Sequence, residues 1–201
     1  CTMVPNLPVT INIGRGKEWS PKEAGGGKYD GTLHPLRWGL KYSRNNYSAW
    51  IMKQSRRPQA VADFIHNMGI VSYIDPVYPL CLGSFEASVY EMVGAYATFA
   101  NEGVHNVPLF VTEIKDRFGN TISSFTTTSH DAISKETAYT MLTMMQNVIT
   151  GGTGSRMVWN YGMRGVDIAG KTGTTNSDYD RWFVGFTPYY VGGVWLGFEY
   201  P

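Results

Sequence analysis

The sequence predicts an α+β fold: an antiparallel sheet with a helical subdomain. Three observations lead there. Segments with helical spacing of apolar residues occupy the middle of the chain, between about residues 34 and 149. Three extended segments with turn signals between them close it, from residue 166 onward. Strands and helices do not alternate in the way that builds a parallel sheet. The 201 residues are 43% apolar and 16% charged, a globular composition. A formal net charge of +1 gives no electrostatic reason for nucleic acid or an anionic membrane as partner. Cys1 and Cys81 are too few for a disulfide framework. Cys81, in the apolar run Tyr78-Pro79-Leu80-Cys81-Leu82, reads as a buried thiol. No apolar stretch has the length of a membrane span and no signal peptide opens the chain.

Residues 1–31 read as irregular, with Pro5, Pro8, Pro21 and Gly25-Gly26-Gly27 as turn signals and one short strand at 9–13. Residues 34–42 predict a short helix with Leu36 and Leu40 on one face and Thr32 as its cap. A second helix is expected over 46–54, with Ala49, Trp50 and Met52 inward. A third spans 58–68, from Pro58 to the stop at Gly69, with Val61, Phe64, Ile65 and Met68 apolar. The pattern is stronger over 86–101, where Val89, Met92, Val93, Tyr96 and Phe99 share a stripe. Residues 108–125 predict a hairpin turning at Arg117-Phe118-Gly119-Asn120. The helix at 134–149 has Ser134 as cap and ends at Gly151-Gly152-Thr153-Gly154. Strands follow at 166–175, 181–187 and 190–198, with a compact turn at Thr187-Pro188-Tyr189.

Two constellations carry chemistry. Ala169-Gly170-Lys171-Thr172-Gly173-Thr174-Thr175 sets one cation and three hydroxyls around a glycine on a strand. Such a strand can hold a carboxylate, and Gly173 lets a substrate backbone come close. Gly165, Gly170, Lys171 and Thr172 also spell a phosphate-loop pattern, which needs a buried strand before it and a helix after it. The flanking residues supply neither, which argues against an NTPase. The second constellation is Ser43-Arg44-Asn45, placed at the end of a helix. Ser43 offers a proton-relaying hydroxyl and Asn45 an amide for a substrate amide, although Ser and Asn also serve as plain caps. S-x-N at 43–45 and K-T-G at 171–173 stand in the order found in penicillin-recognising serine enzymes. Neither alone outweighs its ordinary reading; the pair does.

Several stretches resemble class A penicillin-binding proteins. They are Gly170-Lys171-Thr172-Gly173-Thr174-Thr175-Asn176, Asp180 to Pro188, Leu82 to Ser88, Ala97 to Gly103, and Tyr29-Asp30-Gly31 ahead of Ser43. The resemblance covers nearly the whole chain. It implies a D,D-transpeptidase fold in which Ser43 relays protons and Asn45 binds the side-chain amide of substrate. Lys171 would support the carboxylate and the proton network, and the Thr172 and Thr174 hydroxyls would hold the terminal carboxylate. The backbone N–H of Thr174 would form half of the oxyanion hole. The family nucleophile sits in an upstream S-x-x-K, and no serine of this chain has lysine three residues later. Residues 1–201 are therefore expected to be a partial transpeptidase domain without its nucleophile, inactive alone, whose partners are stem peptides, β-lactams and the upstream part of the same polypeptide. The resemblance implies no metal or organic cofactor. It places the protein on the outer face of the bacterial cytoplasmic membrane, anchored by a segment outside this chain.

Two other readings stay open. A class A β-lactamase shares the fold and K-T-G, but would more often carry Asp where Arg44 stands. A non-catalytic fragment would only bind cell-wall peptide. His34, His66, His105 and His130 show no ligand spacing and read as surface or loop residues. Asp178, Asp180 and Arg181 could line the mouth of the site or form a solvated loop. Trp182 and Trp195 read as core.

Overall fold

The structure, a computed structural model, describes residues 2–175 and 179–198. The segment expected to be irregular contains three short strands, β1 (Met3–Pro5), β2 (Ile11–Gly14) and β3 (Lys17–Trp19). β2 and β3 form a tight hairpin, and β1 pairs with β4 (Leu33–Pro35). That pairing overrides Thr32 as a helix cap. The Thr32 hydroxyl and N–H both donate to Asp30, and α1 (Leu36–Lys41) starts after Pro35 without a side-chain cap.

α2 (Asn45–Ser55) buries Ala49 and Met52 as expected, while Trp50 is half-buried against the same core. α3 (Pro58–Asn67) begins on Pro58, whose missing N–H would be unpaired in a first turn anyway. Phe64 departs from expectation and faces solvent. α4 (Val89–Ala100) is entered through a capping box that joins Ser88 and Glu91. The 108–125 hairpin is present but shorter, as β6 (Glu113–Lys115) and β7 (Thr121–Ser124). A second pair, β5 (Val104–Asn106) with β8 (Ser129–Asp131), embraces it. α5 (Lys135–Gly151) is capped by Ser134, which accepts the N–H of Thr137. One further turn of helix, α6 (Arg156–Trp159), precedes the sheet.

The expected three-stranded meander is present: β9 (Ala169–Thr174), β10 (Asp180–Phe186) and β11 (Val191–Gly197), antiparallel in the order β11-β10-β9. α5 packs along β9, and α4 along β10 and β11. Gly193 permits the second contact, because a Cβ there would lie 2.8 Å from Val93 Cγ2. The apolar interior has two centres. One lies among α2, α3 and the 68–80 segment, around Met52, Ile70 and Leu80. The other joins Met145 of α5 to Ala169 and Phe186 of the sheet. Among the described residues, no helix is long and apolar enough to cross a membrane.

His105 departs from its surface assignment. It is buried and bonded through Nδ1 to the Thr98 hydroxyl at 3.2 Å, with the ring of His130 tilted against it at 5.3 Å between centroids. Burial, with His130 beside it, pushes its pKa down. Trp195 is exposed at its ring, and its Nε1 donates to Asp180 at 2.9 Å; Trp182 is half-buried. Asp180 also accepts from the Thr175 hydroxyl. Cys81 is half-buried and its thiol is pushed up to about 11 by burial, an inert form. Asp178, Asn176 and Cys1 lie outside the described residues.

Candidate active site

α1 stops at Lys41 and α2 starts at Asn45, so residues 42–44 must reverse the chain within three positions. Ser43 achieves this in the left-handed region at φ 53°. That conformation costs a non-glycine residue on the order of 1 kcal/mol. The turn is closed by Ser43 N–H on Leu40 O at 3.1 Å and Arg44 N–H on Gly39 O at 2.8 Å. The Ser43 side chain caps neither helix. Its Oγ instead accepts a hydrogen bond from Lys171 Nζ at 2.7 Å. The capping interpretation of S-x-N therefore fails for the serine.

Lys171 comes from β9, opposite Val184 of β10, 128 residues further along the chain. Its Nζ also donates to Thr172 O at 2.8 Å. Burial pushes its pKa down to about 8. Among the described residues, no carboxylate pairs with it. A half-buried, unpaired cation at a strand edge is a site for an anion to fill.

Thr172 shares a hydrogen bond of 2.7 Å with the Thr153 hydroxyl. Thr153 belongs to Gly151-Gly152-Thr153-Gly154, which the sequence shows only as a helix stop. Its N–H is anchored on Lys41 O at 3.2 Å, so this turn ties α1, α5 and β9 together at the site. Thr174 ends β9 exposed, and its hydroxyl makes no hydrogen bond to the described residues. Asn45 begins α2 with its Nδ2 donating to Lys22 O at 2.7 Å.

These groups converge. Ser43, Asn45, Ser48, Lys171, Thr172 and Thr174 line one cleft of about 210 Å³, closed on another side by Cys81 and Leu82. All five residues singled out from sequence are brought together. The residues that sequence reasoning missed are Glu23, Thr153 and Ser48, which carry no motif of their own. A wider depression of about 490 Å³, lined by Asp131, Ser134 and the ion pair of Glu102 with Lys135, lies apart from both motifs. The phosphate-loop alternative fails here, because Gly170-Lys171-Thr172 runs inside a strand and β10 is the next described element after it. No group of three or more His, Cys, Asp or Glu placed to hold a metal occurs among the described residues.

The sequence and the architecture match known proteins. Residues 10–197 match the family model described as the penicillin binding protein transpeptidase domain. Penicillin-binding protein 1A of Aquifex aeolicus is 30% identical over 92% of this chain and 24% of its own length. The protein of the same name from Neisseria flavescens is 33% identical over the whole chain and 25% of its own length. The chain thus spans about a quarter of the curated relatives it matches. Among solved structures, Penicillin-Binding Protein 1A from Haemophilus influenzae superposes with a TM-score of 0.87 at 25% identity, covering 98% of this chain and 34% of that one. PonA1 of Mycobacterium tuberculosis, solved in complex with penicillin V, gives 0.79 at 27% identity, covering 97% of this chain and 54% of that one. A cleft built by S-x-N and K-T-G, on a fold shared with these proteins along nearly all its length, leaves one assignment: the chain belongs to the penicillin-binding protein transpeptidase domain family, within its class A members.

Proposed function

We propose that the polypeptide carrying this chain is a peptidoglycan D,D-transpeptidase that penicillins acylate. One observation carries the proposal: Lys171 Nζ donates to Ser43 Oγ at 2.7 Å, uniting two motifs in a cleft that also holds Asn45, Thr172 and Thr174.

The nucleophile is a serine of an S-x-x-K outside residues 1–201. Three facts support that reading. No serine here has lysine three residues later, the chain covers about a quarter of its relatives, and β11 has no strand on its outer edge among the described residues. That serine oxygen attacks the carbonyl of the penultimate D-Ala of a stem peptide. The peptide C–N bond breaks, the terminal D-Ala leaves as its amine, and an ester to serine remains. An amine of a neighbouring strand then attacks the ester and returns the proton to serine. Ser43 and Lys171 hold and pass the proton in both halves. The cation of Lys171 and the Thr172 and Thr174 hydroxyls fix the terminal carboxylate. Asn45 receives the side-chain amide, and the Thr174 N–H supplies one oxyanion donor. The same groups receive a β-lactam. The protein works on the outer face of the cytoplasmic membrane.

The test is covalent retention of a labelled penicillin by the polypeptide that includes the S-x-x-K. Retention through denaturation is expected, and Ser43→Ala or Lys171→Ala should slow acylation by about 100-fold or more. An adduct that hydrolyses within seconds would instead mark a β-lactamase. Labelling of the 201-residue chain alone would overturn the external nucleophile.

A further inference from the structure

Glu23 lies in the proline- and glycine-rich segment that the sequence shows as irregular, 20 or more residues from either motif. Its carboxylate nevertheless sits beneath the Ser43-Arg44-Asn45 turn. Its side chain is 3% exposed. Oε2 accepts the backbone N–H of Asn45 at 3.1 Å, and Oε1 accepts that of Asn46 at 2.8 Å. Arg44 Nε lies 3.4 Å from Oε2, and Arg44 Nη2 donates onward to Asn6 Oδ1 and Lys28 O. The neighbouring Lys22 carbonyl accepts from the Asn45 side chain. Two consecutive residues of one segment thus hold the backbone and one side chain of S-x-N.

This carboxylate does what a local cap would do for α2, whose own cap position, Arg44, makes no side-chain cap bond. It also faces the positive end of that helix. The left-handed Ser43 precedes the clamped residues directly, so its hydroxyl direction depends on where Arg44 and Asn45 are fixed. We infer that Glu23 is a positioning residue for the transfer reaction: it acts through the backbone of Asn45 and Asn46 to hold the Ser43 hydroxyl on Lys171. The inference rests on the transpeptidase reading for its kinetic consequence, and on geometry alone for the clamp.

The test uses the polypeptide that includes the S-x-x-K, with Glu23→Ala, Glu23→Gln and Glu23→Asp. Loss of about tenfold in the penicillin acylation rate is expected for Glu23→Ala, since small misplacements of a reacting group are costly. The fraction of protein that finally acylates should be unchanged, and Glu23→Asp should recover part of the rate. In a Ser43→Ala background, Glu23→Ala should cost little more, because the two act through one hydroxyl. A rate within twofold of the unsubstituted protein, or the same loss with Ser43 absent, would overturn the role. If the unsubstituted protein is not acylated at all, the transpeptidase reading fails. Amide exchange at Asn45 and Asn46 still decides on the clamp: protected amides that exchange about tenfold faster in Glu23→Gln support it, and unchanged exchange removes it.

Discussion

Lys171 shows what a single side chain contributes that its motif cannot state. The letters K-T-G announce a cation and a hydroxyl. They do not announce that the amine is half-buried and shifted to about 8. The shift has a definite sign. The folded state binds the Lys171 proton more weakly than the unfolded chain, whose amine titrates near its ordinary 10.5. Stability is therefore expected to rise as pH climbs from about 8 towards 10.5. The measurement is the melting temperature across that window, compared with Lys171→Met, which should lack the extra rise. Affinity for a carboxylate ligand should move the other way, falling as pH rises through about 8 and the cation is lost. A titration with a penicillin and with its methyl ester separates the two, because only the acid should feel the change. Ser43 and Lys171 were readable because their residue types and order are distinctive. Glu23 and Thr153 were not: the Glu23 carboxylate reaches the site through the backbone N–H groups of Asn45 and Asn46, and Thr153 through one hydroxyl on Thr172, and neither contact leaves a pattern in residue types.

Most elements that arise from local chemistry were legible, the short β3 and α6 excepted, and those that arise from distant pairing were not. α3 and α5 begin where Pro58 and Ser134 place them, and the meander turns at Thr187. β1, β4, β5 and β8 were missed because each has three residues and finds its partner far along the chain. α1 begins after Pro35 rather than from a cap at Thr32, since Asp30 captures that hydroxyl first. α4 was read correctly, but its entry holds more than a stripe of apolar residues. The Glu91 carboxylate accepts from the N–H and hydroxyl of Ser88, and also from the N–H of Val71 and the N–H and hydroxyl of Ser72. Burial alone would raise its pKa, yet these bonds outweigh it and bring it down to about 2. The stability that α4 gains from Glu91 is present above the ordinary carboxylate value and is lost as pH falls from about 4.5 towards 2. Chemical denaturation across that range should show a drop of roughly 2 kcal/mol that Glu91→Gln lacks.

At the scale of the whole molecule, α4 and α5 pack against the sheet, and part of β11 is left exposed. Val194, Leu196 and Phe198 are 65%, 70% and 74% exposed along or just beyond β11. β11 is also the outer strand of the meander. A long apolar edge invites pairing with another chain. The 201-residue chain alone is expected to associate at micromolar concentration, and Val194→Lys with Leu196→Lys should return it to a monomer by sedimentation. A monomer with a cooperative melt before any substitution would show that this edge is harmless.

The contact between Ser43 and Lys171 spans 128 residues. On a chain synthesised from its N-terminus, the serine is made long before the lysine, and the two can meet only once β9 has been made and docked. Loop closure over such a distance is slow and comes late. The cleft is consequently a late product of folding: an intermediate that has its helical subdomain but has not yet docked β9 lacks the cation that receives an anion. Reactivity and maturity arrive together, and an incompletely folded molecule is silent towards the ligands of the finished one.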